Sequence, residues 1–117
     1  MEKDFQKRCV EELLCGNPKK VREAAAELGK VVKDEGLNKE IALVSAIAGQ
    51  RKSLEDMTKK KKEIDERWSK DKIEKHRDEV SSIYNNLPLA AVELKRLESQ
   101  RTMSDEELRK RLIKALG

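Results

Sequence analysis

Aromatic residues are almost absent from this 117-residue chain, which has one Phe, one Tyr and one Trp. Packed strands are rich in aromatic and β-branched residues, so their scarcity argues against a β-sheet. No apolar run approaches the roughly 20 residues that a membrane-spanning helix needs. The five glycines are scattered rather than gathered in a phosphate-binding loop. The sequence therefore predicts an all-α protein without a membrane partner or a nucleotide-binding loop.

Residues typical of catalytic or metal sites are also scarce. His76 is the only histidine, and we interpret it as a polar layer in a helix seam. Cys9 and Cys15 lie on different faces of one predicted helix, so they cannot bridge, and we expect both in the core. The chain is predicted to be no enzyme and to bind no cofactor or metal. Two unpaired thiols and an N-terminus unlike a signal peptide favour an intracellular location, cytoplasmic or nuclear.

Charged residues, in contrast, are abundant. They make up 43% of the chain, while apolar residues make up 37%, against about 25% and 45–50% in typical soluble domains. The core must therefore be small for the chain length, and much helical surface must face water. The net charge of +4 is compatible with a nucleic acid or an acidic partner but does not require one.

Two heptad patterns occupy the central stretch of the chain. Seam positions, apolar except for Gln50, Lys61 and His76, recur at alternating steps of four and three from Leu43 to Trp68, and again from Ile73 to Leu97. The heptad phase of the seam changes at residues 69–72. Counted outward from the bond between Trp68 and Ser69, the seam positions of the two stretches match one another, so the second seam mirrors the first. This pattern predicts an antiparallel helical hairpin with its turn at residues 69–72. An antiparallel homodimer of unbroken helices is the alternative.

The mirror also predicts local details of the hairpin. Ser69 should cap the returning helix, and Lys61 should lie opposite His76. Residues 85–88 end in a proline and should break or kink that helix. After this point Leu89 and Val92 add a second apolar face, which we expect to be buried.

These features predict one domain over residues 1–117. Its head would be a helical bundle of residues 1–50 and 86–117, and a coiled-coil arm of residues 51–85 would project from it. In the head, Asn17 and Pro18 should begin one helix and Gly16 should end the preceding one. Ser104 should cap the last helix, with Glu107 completing a capping box.

Two short runs resemble known families. Leu13-Leu14, Asn17-Pro18, Val21-Arg22, Ala24-Ala25 and Leu28-Gly29 together resemble one HEAT-type helical repeat. That family stacks helix pairs into protein-binding scaffolds, whereas no second copy follows here, so a generic helical hairpin is the alternative. The run from Ser104 to Leu112 resembles the opening helix of LEM or SAP modules, which bind chromatin proteins or DNA.

The candidate binding residues lie at the predicted tip of the arm. They are Trp68, Lys59, Lys60, Lys62, Lys70 and Lys72. Trp68 would either anchor an interface or plug the end of the seam. The lysines would either contact phosphates or form a solvated face among interleaved acidic residues.

Our functional hypothesis is a non-enzymatic helical interaction or adaptor module. It would bind another protein through its arm or through the groove at the arm's base, as a monomer or an antiparallel homodimer. The alternative is a nucleic-acid-binding accessory protein that uses the Lys-rich tip.

Overall fold

The structure, a computed structural model, describes residues 2–117. Six α-helices and no strand make up the regular structure of these residues, which confirms the all-α prediction. The helices are α1 (Lys3–Leu13), α2 (Pro18–Val31), α3 (Glu35–Arg67), α4 (Lys70–Lys75), α5 (Arg77–Ser99) and α6 (Asp105–Leu116).

The chain divides into two compact units. The head unit comprises Met1–Gly49 and Leu97–Gly117, and the hairpin unit comprises Gln50–Arg96. Helices α3 and α5 each contribute residues to both units. That all 117 residues form a single domain stays a prediction.

The head unit is a helical bundle of α1, α2, α6 and the first part of α3. One side of each amphipathic helix contributes to a single apolar core, as helix periodicity requires. The core residues are Cys9, Val10, Leu13, Val21, Ala24, Leu28, Val32, Leu37, Ile41, Val44, Ala48, Leu108 and Leu112. The predicted bundle is therefore confirmed.

Local side-chain chemistry sets the helix boundaries in this unit. The Asn17 carboxamide oxygen accepts hydrogen bonds from two backbone N–H groups of α2, and Pro18 occupies the first helical position. Gly16 has a φ of +83°, which only glycine adopts without strain. The Ser104 hydroxyl accepts a hydrogen bond from the backbone N–H of Glu107 at 3.2 Å, so the predicted cap of α6 is confirmed.

The cysteine prediction is half wrong. Cys9 is 3% exposed in the core, whereas Cys15 is exposed. Helix α1 ends at Leu13, so Cys15 lies in the turn that follows rather than on the helix's buried side.

Glu40 is the one charged residue that is buried among residues 2–117, with 2% exposure. Its Oε1 accepts hydrogen bonds from the Thr102 backbone N–H at 2.7 Å and from the Thr102 hydroxyl at 2.8 Å. Its Oε2 accepts from Arg101 Nε at 3.3 Å. Burial by itself raises the pKa of Glu40, but the bonds from Thr102 and Arg101 and the Arg101 charge bring it below its ordinary value of 4.5. The carboxylate thus fastens α3 to the segment that precedes α6.

The hairpin unit pairs residues 50–67 of α3 with α5 in antiparallel orientation, which confirms the hairpin. Gln50 Nε2 donates to the Ala90 carbonyl oxygen at 3.1 Å, and the Tyr84 hydroxyl donates to Asp65 Oδ1. Ile64, 1% exposed, is the best-buried side chain of this unit. Because α3 ends at Arg67, the alternative of one unbroken helix is wrong. The oligomeric state stays a prediction.

Three details of the hairpin differ from expectation. The chain leaves helical geometry at Trp68 and Ser69, so residues 70–72 belong to α4 and not to the turn. The cap is confirmed, because the Ser69 hydroxyl accepts from the Lys72 N–H at 3.2 Å. Lys61 lies over the Tyr84 ring and not opposite His76. The mirror pattern had predicted that the returning helix begins right after the turn. Instead, α4 and the interruption at His76 occupy residues 70–76, so His76 does not lie opposite Lys61.

Of the break or kink predicted at residues 85–88, the break is wrong, since α5 continues through Pro88, and the kink stays a prediction. A proline removes one backbone hydrogen bond from a helix. The side chains of Asn85 and Asn86 bond one turn back to the hydroxyls of Ser81 and Ser82, at 3.5 and 3.0 Å. These side-chain bonds connect successive turns of α5 just before Pro88.

Candidate functional site: the hairpin tip and the outer face of α5

The hairpin tip is built around Trp68, which is half-buried. The ammonium groups of Lys60 and Lys72 lie 4.9 and 4.5 Å from the centre of its ring, within cation–π range. The His76 ring lies 5.5 Å away at 58° to the indole plane. The indole N–H points to Glu63 Oε1 at 3.5 Å. The structure thus brings three of the candidate residues, Trp68, Lys60 and Lys72, into one cluster.

The other candidate lysines lie outside this cluster. Lys59 pairs with Glu55 along α3 at 3.0 Å, and the Glu55 hydrogen bond and charge raise the pKa of Lys59. Lys62 and Lys70 are exposed, and within residues 2–117 neither has an ion-pair partner. The tip therefore combines neutralised and free ammonium groups. Residues 59–78 contain nine Lys or Arg and six Asp or Glu, a mild excess that favours anionic partners.

A network next to the tip connects the two arms of the hairpin. Asp65 accepts the Tyr84 hydroxyl and also pairs with Lys61 at 3.0 Å, while the Lys61 ammonium lies 5.2 Å from the centre of the Tyr84 ring. The hydrogen bond to Asp65 raises the pKa of Tyr84, and the same bond lowers the pKa of Asp65. Tyr84 was not among the residues predicted from the sequence, because it lies beside the seam rather than in it.

The outer face of α5 carries an exposed apolar stripe. Leu89 is 67% exposed and Val92, nearly one helical turn later, is 66% exposed. Pro88 is exposed beside them. The expectation that Leu89 and Val92 form a buried second face is wrong, because within the described residues no element covers them. Single exposed apolar residues are ordinary, but adjacent ones form a patch that partners can cover.

The stripe has polar ends of different character. Asn85 lies one turn before it, and exposed Lys95 follows it, with no ion-pair partner among residues 2–117. Glu93, the carboxylate nearest in sequence, is held by Arg96 at 2.9 Å. Its charge is therefore compensated, and the net charge at the end of the stripe comes from Lys95.

The described residues also bear on metal and membrane sites. Within residues 2–117, no three His, Cys, Asp or Glu side chains form a group that could hold a metal ion. None of the described helices combines the length and the apolar character that crossing a bilayer requires.

Comparisons with known proteins add no family. No family model, no curated protein and no solved structure matches this chain. The likenesses to a HEAT-type repeat and to the opening helix of LEM or SAP modules remain local resemblances.

Proposed function

We propose that this protein is a non-enzymatic interaction module that binds an amphipathic helix of a partner protein along the outer face of α5. The observation that carries the proposal is the exposure of Leu89 and Val92, at 67% and 66%, on the outside of a hairpin. Two apolar residues about one turn apart match the ridge that one helix presents to another. Lys95 at the end of the stripe favours a helix with a carboxylate at the corresponding end.

The expected affinity is modest. Full burial of a Leu or Val side chain contributes about 1.5–3 kcal/mol, so covering the exposed two-thirds of both yields roughly 2–4 kcal/mol. Association itself costs about 4–15 kcal/mol. Contacts from Pro88 and from the polar ends must therefore add to the stripe, and we expect a transient complex rather than an obligate one.

The test uses Leu89→Ser with Val92→Ser in one variant. A photo-crosslinking residue at position 89 first marks the partner in a lysate, and titration with the purified partner then gives the affinity. We expect the double variant to bind at least tenfold more weakly and to melt like the parent, because both side chains are exposed. The control is Phe5→Ser, which removes an exposed apolar residue of the head unit that belongs to neither the α5 stripe nor the groove between α1 and α6.

Unchanged binding by the Leu89/Val92 variant would overturn the proposal. An equal loss in Phe5→Ser would also overturn it, since the loss would then reflect general hydrophobicity. Sedimentation velocity of the protein alone covers a further outcome. If the only species crosslinked from position 89 is a second copy, and a dimer forms that the double variant lacks, the face is a self-association surface and the proposal fails.

A second candidate function, nucleic-acid binding through the tip, is favoured by two features: the Trp68 ring near the ammonium groups of Lys60 and Lys72, and the unpaired Lys62 and Lys70. One aromatic ring with nearby cations can stack on a base while lysines contact phosphates. The test is a salt titration of binding to mixed DNA and RNA, with Lys59, Lys60 and Lys62 changed to Glu. Loss of binding together with a flatter salt dependence would support it. No binding by the parent at low salt would reject it.

A further inference from the structure

A shallow groove lies between α1 and α6 in the head unit. Its lining includes Lys3, Gln6, Lys7, Val10, Ile113 and Leu116, and its volume is about 240 Å³. Val10, 0% exposed, forms the floor, and Ile113 is 44% exposed on the wall. Small-molecule pockets usually measure about 300–1,000 Å³. This groove therefore suits one or two apolar side chains of a peptide rather than a whole ligand.

The charged side chains of the groove lining are both positive, and Gly117, the last residue of the sequence, also lines the groove. Lys3 and Lys7 are one helical turn apart on α1, both are exposed, and neither has an ion-pair partner among the described residues. Among the described residues that line the groove, none has a carboxylate side chain. Asp4, which lies between the two lysines in the sequence, does not line the groove, and Glu11, one turn after Lys7, is paired with Arg109 of α6. Two free ammonium groups thus stand beside an open apolar surface.

We propose that this groove is a second docking site, for an acidic amphipathic segment of a partner protein. An apolar side chain of that segment packs against Ile113 and Leu116 over the Val10 floor. Carboxylates of the segment, three or four residues apart, meet the ammonium groups of Lys3 and Lys7, whose spacing of one turn matches theirs. Charge complementarity selects an acidic segment and rejects a basic one. The site shares no residue with the α5 face, so this proposal is independent of the proposed function.

The probe is a synthetic helical peptide of about 14 residues, with leucine at helical spacing and glutamate on both flanks. Its counterpart has lysine in place of each glutamate. Binding is followed by NMR of the isoleucine methyl groups, where Ile113 reports on the groove and Ile83 reports on the hairpin. We expect the acidic peptide to shift the Ile113 signal and to leave Ile83 unchanged, while the basic peptide shifts neither.

Two variants test the charges. Lys3→Glu with Lys7→Glu should weaken the acidic peptide's binding at least tenfold and should allow the basic peptide to bind. The matched control, Lys19→Glu with Lys20→Glu, changes the net charge equally at exposed positions of α2 and should stay within about twofold of the parent. Ile113→Ser, which keeps every charge, should weaken binding about fivefold or more. Leu89→Ser with Val92→Ser should bind the peptide like the parent.

Three results would overturn the groove proposal. The first is an Ile113 signal that does not move at about 1 mM acidic peptide. The second is an equal loss from the two lysine pairs, which would mean attraction by net charge alone. The third is equal binding of both peptides. Circular dichroism of each variant establishes that its helices are intact, and a loss of binding counts only with that spectrum unchanged.

Discussion

Glu40 offers the sharpest test of what holds the head unit together. The Glu40→Ala variant removes a buried carboxylate and leaves the Thr102 N–H, the Thr102 hydroxyl and Arg101 without their acceptor. Arg101 keeps its bond to Asp105 at 2.5 Å, but its side chain is only 20% exposed. Breaking a buried pair in this way typically costs 3–5 kcal/mol. We expect the free energy of unfolding to fall by about that amount.

Glu40→Gln separates charge from shape. Glutamine keeps one acceptor for Thr102 but puts an amide N–H₂ near Arg101 Nε, so one charged hydrogen bond is lost and two donors meet. Hydrogen bonds to charged groups contribute about 1.5–3 kcal/mol, and we expect a loss in that range. The control is Glu106→Gln, an exposed residue paired only with Lys110, which should change stability by less than about 0.5 kcal/mol. Urea denaturation followed by circular dichroism measures all three variants.

The difference in the free energy of unfolding between the parent and Glu40→Gln should depend on pH in a definite direction. The pKa of Glu40 is lower in the folded protein than its ordinary value of 4.5. Its contribution to stability is therefore complete above that value and is lost as the pH falls through the lower, folded pKa. The gap between the parent and Glu40→Gln should be constant from neutral pH to about pH 5 and should shrink below 4.5. If Glu40→Gln is as stable as the parent at pH 7, the carboxylate does not hold this segment and the reasoning fails.

Three further predictions concern burial and local contacts. Leu28→Ala, at a site with 0% exposure, should lower the free energy of unfolding by about 2–5 kcal/mol. Leu54→Ala, at a half-buried site, should lower it less. Equal losses in urea denaturation would contradict the difference in burial. Asp65→Asn should lower the pKa of Tyr84, the only tyrosine, because the hydrogen bond from its hydroxyl to the carboxylate stabilises the neutral phenol. Titration of the tyrosinate absorbance measures this pKa, and Glu66→Gln is the control. In the native protein a thiol reagent should label exposed Cys15 rapidly and Cys9 slowly, because burial both shields the Cys9 thiol and raises its pKa; equal rates would contradict the burial of Cys9.

Sequence analysis was most successful where the determinants are local. Asn17, Ser69 and Ser104 cap helices as expected, because a cap depends on a side chain and an N–H two or three residues away. The heptad patterns likewise predicted two antiparallel arms. The heptad patterns did not predict the register of the two arms. That register depends on how many residues α4 and the interruption at His76 occupy, which the patterns do not show.

Contacts between residues far apart in the chain could not be predicted from the sequence. Glu40 stands in a chain that is 43% charged, and nothing near it distinguishes it from the other glutamates. Its burial depends on Thr102, which is 62 residues away along the chain. At the tip, the sequence placed Lys60 and Lys72 near Trp68, because a turn brings neighbours together. It did not distinguish them from Lys62 and Lys70, since side-chain direction around a helix end depends on where each helix begins and ends.

Leu89 and Val92 illustrate why burial and exposure look alike in a sequence. Helical periodicity gives the angle of a residue around its own helix axis, but it does not say whether another element lies on that side. Both residues fall on the side of α5 away from the seam, and the second apolar face that they form was expected to be covered. Their exposure of 67% and 66% turns that face from core into surface. A functional hypothesis based on sequence alone therefore selected Trp68, whose ring is already engaged by Lys60, Lys72 and His76. Leu89 and Val92 are the most exposed large apolar residues among residues 2–117. A partner therefore gains more by covering them than by competing for a ring that already has contacts.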